Sequence, residues 1–229
     1  MSQSPAAPAA PVAPAAETQP PARESSGALR YLPLLLVILP AALFSAVVVT
    51  RALKTRDAAP LLLVMGEVPA FELTERNGQP VTRDNLIGRI WVANFIFTRC
   101  PGPCPKMCSQ LADLQNTLKH KAQDIRIVSF TLDPEHDTPE VLDRYAKLFN
   151  ADTERWLFVR GEKAAVQRLA SEGFKLASVE KVPGEIVHST RFVLVDPQGR
   201  IRGYYDSQEP EGLPKLRKEL DLLIKESTR

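Results

Sequence analysis

The chain has 229 residues, enough for one domain with extensions or for two small ones, and its composition excludes a collagen, a coiled coil or a disulfide scaffold. Its formal net charge is +2, and basic residues are interspersed with acidic ones. We therefore expect no nucleic-acid partner.

The N-terminal part predicts a tail followed by a membrane anchor. Residues 1–28 are rich in Ala and Pro, a composition typical of disordered segments. Residues 29–51 contain an uncharged run from Tyr31 to Thr50, close to the about 20 residues that span a bilayer. A signal peptide would have a shorter apolar run and a small-residue cleavage site, so we predict one N-terminal transmembrane helix.

The same segment indicates a location. It lacks the Arg-rich, acid-poor composition of a mitochondrial transit peptide, which favours a single-pass anchor in a bacterial inner membrane. Basic residues after the run slightly outnumber those before it, and this count opposes export of the C-terminal part. We nevertheless expect that part in the periplasm, because its cysteine chemistry suits that compartment.

After a linker over residues 52–66, residues 67–229 predict one α/β domain. Asn77-Gly78 between two short β-prone segments predicts a hairpin, and the apolar run Ile90–Phe97 predicts a strand buried on both faces. Later strands are predicted at 125–132, 157–159, 191–195 and 201–205, and helices at 105–121, 139–149, 162–172 and 213–225.

All three cysteines follow the predicted buried strand, in the segment Cys100-Pro101-Gly102-Pro103-Cys104-Pro105-Lys106-Met107-Cys108. Cys100 and Cys104 are spaced so that both thiols face one way across a turn, and they can pair or jointly hold a soft metal. Cys104 is predicted at a helix N-terminus, where we expect a lowered thiol pKa. A strand, cysteines and a helix N-terminus form a thioredoxin-like arrangement.

The histidines differ in their surroundings. His120 and His136 lie in polar segments and are predicted to be surface groups, whereas His188 follows a flexible stretch and precedes the final hairpin, where it is placed to reach Cys100 and Cys104. Two thiolates and an imidazole suit monovalent copper. Zinc is an alternative that usually takes a fourth protein ligand.

Cys108 lies one helical turn after Cys104 and has three open interpretations. It is a fourth metal ligand, an alternative resolving thiol, or a small buried hydrophobic residue, and the last is the commonest fate of a free cysteine.

Several motifs resemble the Sco/SenC copper chaperones of cytochrome c oxidase assembly. Phe97–Pro105 is similar to the family's Cys-Pro-x-x-Cys-Pro region, Thr131–Pro139 to its Asp-Pro-x-x-Asp-x-Pro segment, and His188-Ser189 before Phe192–Asp196 to the stretch with its ligand histidine. The likeness covers roughly residues 66–223, and the N-terminal anchor matches too. Gly102-Pro103 and the additional Cys108 depart from the family pattern.

The resemblance implies the site and the partners. Cys100, Cys104 and His188 become ligands of copper, as Cu(I) and also as Cu(II), and Asp133 and Asp137 shape the adjacent loop. The implied activity is delivery of copper to the binuclear copper site of oxidase subunit II, or reduction of its cysteines by the Cys100–Cys104 pair. An upstream copper donor and a thioredoxin-like reductant are the other implied partners.

Two other functions are open. A membrane-tethered thiol-disulfide oxidoreductase usually has two residues between its cysteines and a proline just before the strand that begins near Arg191. Here three residues separate Cys100 from Cys104, and Ser189-Thr190 stand where that proline would be. A purely structural anchored domain would leave the clustering of the cysteines unexplained.

Overall fold

The computed structural model describes residues 38–47, 62–119, 125–176 and 189–227. The chain divides into two compact units, Met1–Asp57 and Ala58–Arg229. In the first unit, residues 38–47 form helix α1 and are exposed. The predicted tail and both ends of the predicted anchor lie outside the described residues. Within the described ranges, no helix combines the length and the hydropathy that crossing a bilayer requires.

The second unit is built on a mixed β-sheet. Its described strands are β1 (Gly66–Glu67), β2 (Glu72–Glu75), β3 (Pro80–Thr82), β4 (Ile90–Ile96), β5 (Ile125–Thr131), β6 (Trp156–Arg160), β7 (Arg191–Val195) and β8 (Arg200–Asp206). Their order across the sheet is β1-β8-β7-β4-β5-β6-β2-β3. The three strands β4, β5 and β6 run parallel, and β7 is antiparallel to β4.

Helices cover both faces of this sheet. They are α2 (Arg83–Leu86), α3 (Pro103–Leu118), α4 (Pro139–Leu148), α5 (Lys163–Arg168) and α6 (Gly212–Ser227), and α5 continues into a π-helical turn over Leu169–Gly173. Buried side chains of α3, α4 and α6 share one core layer with one sheet face, and those of α5 and the π-helical turn belong to the layer on the other face. The α/β prediction is therefore confirmed.

Strand β4 separates the two core layers. All seven of its residues are buried. Val92 and Ile96 belong to the layer under α3, α4 and α6, whereas Trp91 and Phe95 belong to the opposite layer. Side chains alternate across a strand, so a strand with apolar residues at nearly every position can only lie between two layers, as its sequence predicts.

Both predicted hairpins are present. The turn between β2 and β3 contains Gly78 at φ 86°, and the turn between β7 and β8 contains Gly199 at φ 78°. These are backbone conformations that glycine adopts without the steric cost other residues bear. The predicted helix over 162–172 is instead α5 followed by the π-helical turn, in which the Phe174 N–H donates to the Leu169 carbonyl at 2.8 Å.

A buried polar chain links the three parallel strands. The Trp156 indole N–H donates to Ser129 Oγ at 2.9 Å, and this hydroxyl donates to Asn94 Oδ1 at 2.7 Å. All three residues are buried. Ser129 thus satisfies two groups that cannot reach water.

Replacing Ser129 with alanine is expected to lower the free energy of unfolding by about 1–3 kcal/mol, because the indole N–H and the amide oxygen lose their partner. Urea denaturation of the full-length protein measures this change. Ser171→Ala is the control, since the Ser171 hydroxyl is exposed and donates only to helix carbonyls, and it should stay within about 0.5 kcal/mol of the wild type. An equally small effect of S129A would contradict the prediction.

Candidate metal centre

The cysteines lie where β4 gives way to α3. The strand ends at Ile96, and the Cys100 N–H donates to the Phe97 carbonyl at 3.1 Å, which turns the chain. Gly102 is the N-cap of α3 and Pro103 is its first residue. Proline suits this position because the first helical N–H has no partner within the helix. The helix thus begins two residues earlier than predicted, at Pro103 rather than Pro105.

The structure brings Cys100 and Cys104 together. The backbone N–H of Cys104 donates to the Cys100 sulfur, with 3.5 Å between the two atoms. Cys104 and Cys108 are fully buried and Cys100 is 5% exposed, and all three are free thiols. Cys100 is thus the more exposed residue of this dithiol.

The expectation of a lowered pKa at Cys104 is wrong. Burial raises the pKa of the Cys104 thiol, and the neighbouring Cys100 raises it further, which outweighs the lowering by the backbone at Phe97. Burial likewise raises the pKa of Cys108 to about 12. The helix N-terminus favours a thiolate, but desolvation of a buried sulfur is the larger effect. Any metal that binds these sulfurs must therefore displace protons.

A buried carboxylate fixes the residues that precede the cysteines. Asp137 is fully buried. It accepts the Thr98 N–H at 3.1 Å and the hydroxyls of Thr98 and Thr131 at 2.5 Å each. Its neighbour Asp133 accepts the Arg99 side chain at 2.7 Å. The implied role of both aspartates in shaping the loop is consistent with these contacts, because they hold two of the three residues between β4 and Cys100.

His136 lies next to this carboxylate pair. It is exposed, as predicted, and its Nδ1 lies 3.0 Å from Asp137 Oδ1. Candidate ligand atoms of Asp133, His136 and Asp137 lie within 4.8 Å of one another. Both carboxylates, however, already accept the hydrogen bonds that order the cysteine loop, so we assign this cluster a structural role.

The third predicted ligand, His188, lies outside the described residues, as does His120. The chain is described again from Ser189, and the Thr190 hydroxyl donates to Asp206 at 2.9 Å. Because β7 is antiparallel to β4, with Ala93 opposite Val193, β7 begins at the sheet edge where β4 ends. The described residues Ser189 and Thr190, which lead directly into β7, therefore lie at the end of the sheet where the cysteines follow β4.

Sequence reasoning missed one residue of this region. Tyr145 of α4 is 7% exposed, and its hydroxyl lies beside the Cys108 thiol. Burial, followed by the charge of the neighbouring Cys108, raises the pKa of this hydroxyl. The helical periodicity of 139–149 marks Tyr145 as a core residue, but it cannot indicate which side chain of another helix lies against it.

Comparisons with known proteins agree with the geometry. A family model described as SCO1/SenC matches residues 65–220. The SCO1 protein homolog of Bacillus subtilis (strain 168) is 36% identical over 146 residues, which cover 62% of this chain and 75% of that protein.

Two solved structures are similar to this chain. BsSco, a member of the Sco family of cytochrome c oxidase assembly proteins with a disulfide switch, has a TM-score of 0.65 and 31% identity and covers 74% of this chain and 99% of its own. Yeast Sco1 with copper bound has a TM-score of 0.55 and 26% identity, with 68% of this chain and 89% of its own covered. Since the family model matches more than half of the sequence, this chain belongs to the SCO1/SenC family.

Proposed function

We propose that this chain is a membrane-anchored copper-binding metallochaperone for the binuclear copper site of cytochrome c oxidase subunit II. The observation that carries the proposal is the buried Cys100–Cys104 dithiol at the start of α3. The copper bound by yeast Sco1 and the oxidase-assembly role of BsSco support it. Copper is the cargo of this protein.

The donor set fits a cuprous ion. Two soft sulfurs lie together, and the nearby carboxylates of Asp133 and Asp137 are already engaged by Arg99, Thr98 and Thr131. Soft thiolates select Cu(I), whereas hard cations take oxygen ligands. His188 is the proposed third ligand. The position of β7 supports this role. This strand begins at Arg191, two residues after the described residue Ser189, at the end of the sheet where the cysteines follow β4.

Two activities are open to this site. In delivery, Cu(I) passes to the acceptor by exchange of one ligand at a time, and protons return to the sulfurs that it leaves. In reduction, the more exposed Cys100 attacks an acceptor disulfide, and Cys104 then resolves the mixed disulfide. This second reaction moves two electrons and two protons to the acceptor, and the Cys100–Cys104 disulfide remains. A membrane-tethered thiol-disulfide oxidoreductase would perform only the second reaction.

The proposed location is a bacterial inner membrane, with residues 29–51 as a single-pass anchor and the second unit in the periplasm. Subunit II, an upstream copper donor and a thioredoxin-like reductant are the proposed partners. The uncharged run from Tyr31 to Thr50 supports the anchor.

Anaerobic titration of the full-length protein with Cu(I) against a competing chelator is expected to give one ion per chain. C100S and C104S should each weaken Cu(I) binding by more than about 100-fold. Loss of a residue that only hydrogen-bonds to a metal ligand costs up to about 100-fold in affinity, and loss of a ligand itself should cost more. H188A should weaken binding by about tenfold, and H120A, the matched histidine control, should not. Absence of copper binding, together with rapid reduction of insulin, would favour the oxidoreductase.

A deletion strain separates the two activities. If delivery dominates, added copper should restore oxidase activity, because an excess of the ion substitutes for its carrier. If reduction dominates, added copper should fail and the wild-type gene should succeed. A strain with normal oxidase activity and no copper requirement would contradict both.

The Asp137 contacts generate a further prediction. D137N keeps the shape of the side chain but removes an acceptor from Thr98 or Thr131, so the loop before Cys100 loosens. We expect release of Cu(I) to the chelator to become about tenfold faster. Substitution of residues that position metal ligands typically changes metal affinity by about 10- to 100-fold.

D113N is the control for this variant, because Asp113 is an exposed residue of α3. Stopped-flow release kinetics measure the difference. Identical release rates for D137N and D113N would show that the carboxylate does not position the cysteines.

A further inference from the structure

Three consecutive apolar side chains of the second unit are exposed just before β1. Leu63, Val64 and Met65 have exposed fractions of 75%, 54% and 51%. The other large apolar side chains that are exposed among the described residues of this unit, Ile87 and Leu148, are isolated in the sequence. Single exposed apolar residues are normal, whereas a contiguous set marks a surface that meets a protein or a membrane.

Hydrogen bonds hold this segment in place. The Met65 N–H donates to the Ile201 carbonyl at 2.8 Å, and the Arg202 side chain donates to the Leu62 carbonyl at 2.6 Å. Arg202 is itself buried and is paired with Asp196 at 2.9 Å. The backbone is thus fixed at both ends of the segment, and the exposure of its side chains is a property of the fold.

A groove of about 720 Å³ lies between this segment, β8 and α6. Its lining includes the apolar side chains of Leu63, Met65 and Leu222. The exposed segment therefore continues into an apolar groove, one wall of which belongs to the C-terminal helix.

The charges at this groove suit a phospholipid. Apart from the paired Arg202, its charged lining residues are Lys215, Lys218, Glu211 and Glu219. Glu219 accepts the Tyr205 hydroxyl at 2.7 Å, and the Lys215 ammonium lies 4.0 Å from the same carboxylate. Lys218 is exposed. A lysine can lay its aliphatic stem along an apolar wall while its ammonium group stays in a polar layer, which matches acyl chains beneath phosphates.

The length of the preceding chain favours a bilayer as the partner of this surface. Ten residues, 52–61, separate the predicted anchor from Leu62. A fully extended chain of ten residues reaches at most about 36 Å, so the proposed anchor would hold Leu62 no further than this from the membrane. A short tether raises the effective concentration of the surface to which it leads. A small apolar patch can therefore make contact.

A second copy of the chain fits this surface less well. Stable protein–protein interfaces bury about 800 Å² on each partner, and three partly exposed aliphatic side chains supply much less.

We propose that Leu63–Met65 and Lys218 form a surface by which the second unit lies on the lipid bilayer. The three apolar side chains enter the boundary between headgroups and acyl chains, and the Lys218 ammonium group contacts lipid phosphates. This inference rests on the membrane anchor of the proposed function. Amphipathic helices at membranes bury their apolar face about 5–10 Å into the same boundary, and we expect a similarly shallow contact here.

The proposed contact leaves the dithiol free. Met65 contacts Ile201 near the start of β8, whereas Asp206 at the other end of this strand accepts the Thr190 hydroxyl on the cysteine side of the sheet. Five residues of a strand extend about 17 Å. The bilayer and the copper acceptor thus use different ends of β8, and they do not compete for the sulfurs.

The test uses full-length V64W in nanodiscs that hold one chain each. The discs consist of phosphatidylcholine and phosphatidylglycerol, with or without bromine on the acyl chains, and bromine quenches indole emission on contact. The wild type gives the background, because Trp91 and Trp156 are fully buried. V64W should lose about half of its additional emission in brominated discs, as expected for a side chain at the acyl boundary.

L148W is the matched control, since Leu148 is 74% exposed at the end of α4. It should lose less than about one tenth of its additional emission, because α4 lies outside the proposed surface.

Further changes in the V64W background test the neighbouring side chains. L63Q/M65Q should reduce the quenching to that of L148W, because the segment then lacks the apolar surface that enters the bilayer. K218Q should weaken the quenching, and K119Q, a change at an exposed lysine after α3, should leave it unchanged. A circular dichroism melt checks the fold of every variant, and L63A/M65A replaces L63Q/M65Q if that variant does not fold.

The outcomes are distinguishable. Equal quenching of V64W and L148W in discs that carry the protein would overturn the inference and leave the anchor standing. Failure of the chain to enter the discs would overturn both. A blue shift of the V64W emission without quenching would show that protein covers the segment, and it would exclude the bilayer as the partner. A K218Q effect no larger than that of K119Q would overturn the role of the lysine.

Discussion

The burial of β4 between two core layers is the constraint on which the rest of this structure depends. All seven of its residues are buried, so the strand must lie between the two layers. The chain leaves the sheet where this strand ends. The next residues must turn back to start α3, which covers one of those layers. The cysteines occupy that turn, and their position is a consequence of how the core is packed.

Much of the fold was predictable from the sequence because it depends on local patterns. The apolar run Ile90–Phe97, the spacing of apolar residues along α3 and the glycine turns each predict their own structure. The pairing of β2 with β6 was not predictable, because it joins Thr74 to Arg160 across a long stretch of chain. The π-helical turn was also missed, since Leu169–Gly173 continues the apolar spacing of the helix before it.

The candidate site divides in the same way. The cluster of cysteines identified Cys100 and Cys104, and their proximity follows from the spacing. The pKa of Cys104 was wrongly predicted because the helix terminus is a local feature, whereas burial is produced by the whole fold. The family resemblance implied that Asp137 shapes the cysteine loop, but its contact with Thr98 and that of Tyr145 with Cys108 join separate elements. Local sequence patterns do not encode which residues meet across such a distance.

The hydrogen bond from the Cys104 N–H to the Cys100 sulfur has a consequence for the start of α3. The N-cap Gly102 has no side chain to accept from the first turn of α3, so this sulfur acts as the acceptor there. The same end of the helix contacts the loop after β8, where Gln110 donates to the Ser207 carbonyl and Lys106 to Gln208. Loss of this sulfur as an acceptor would therefore leave the first turn of α3 without that hydrogen bond, in the part of the helix that also contacts the loop after β8.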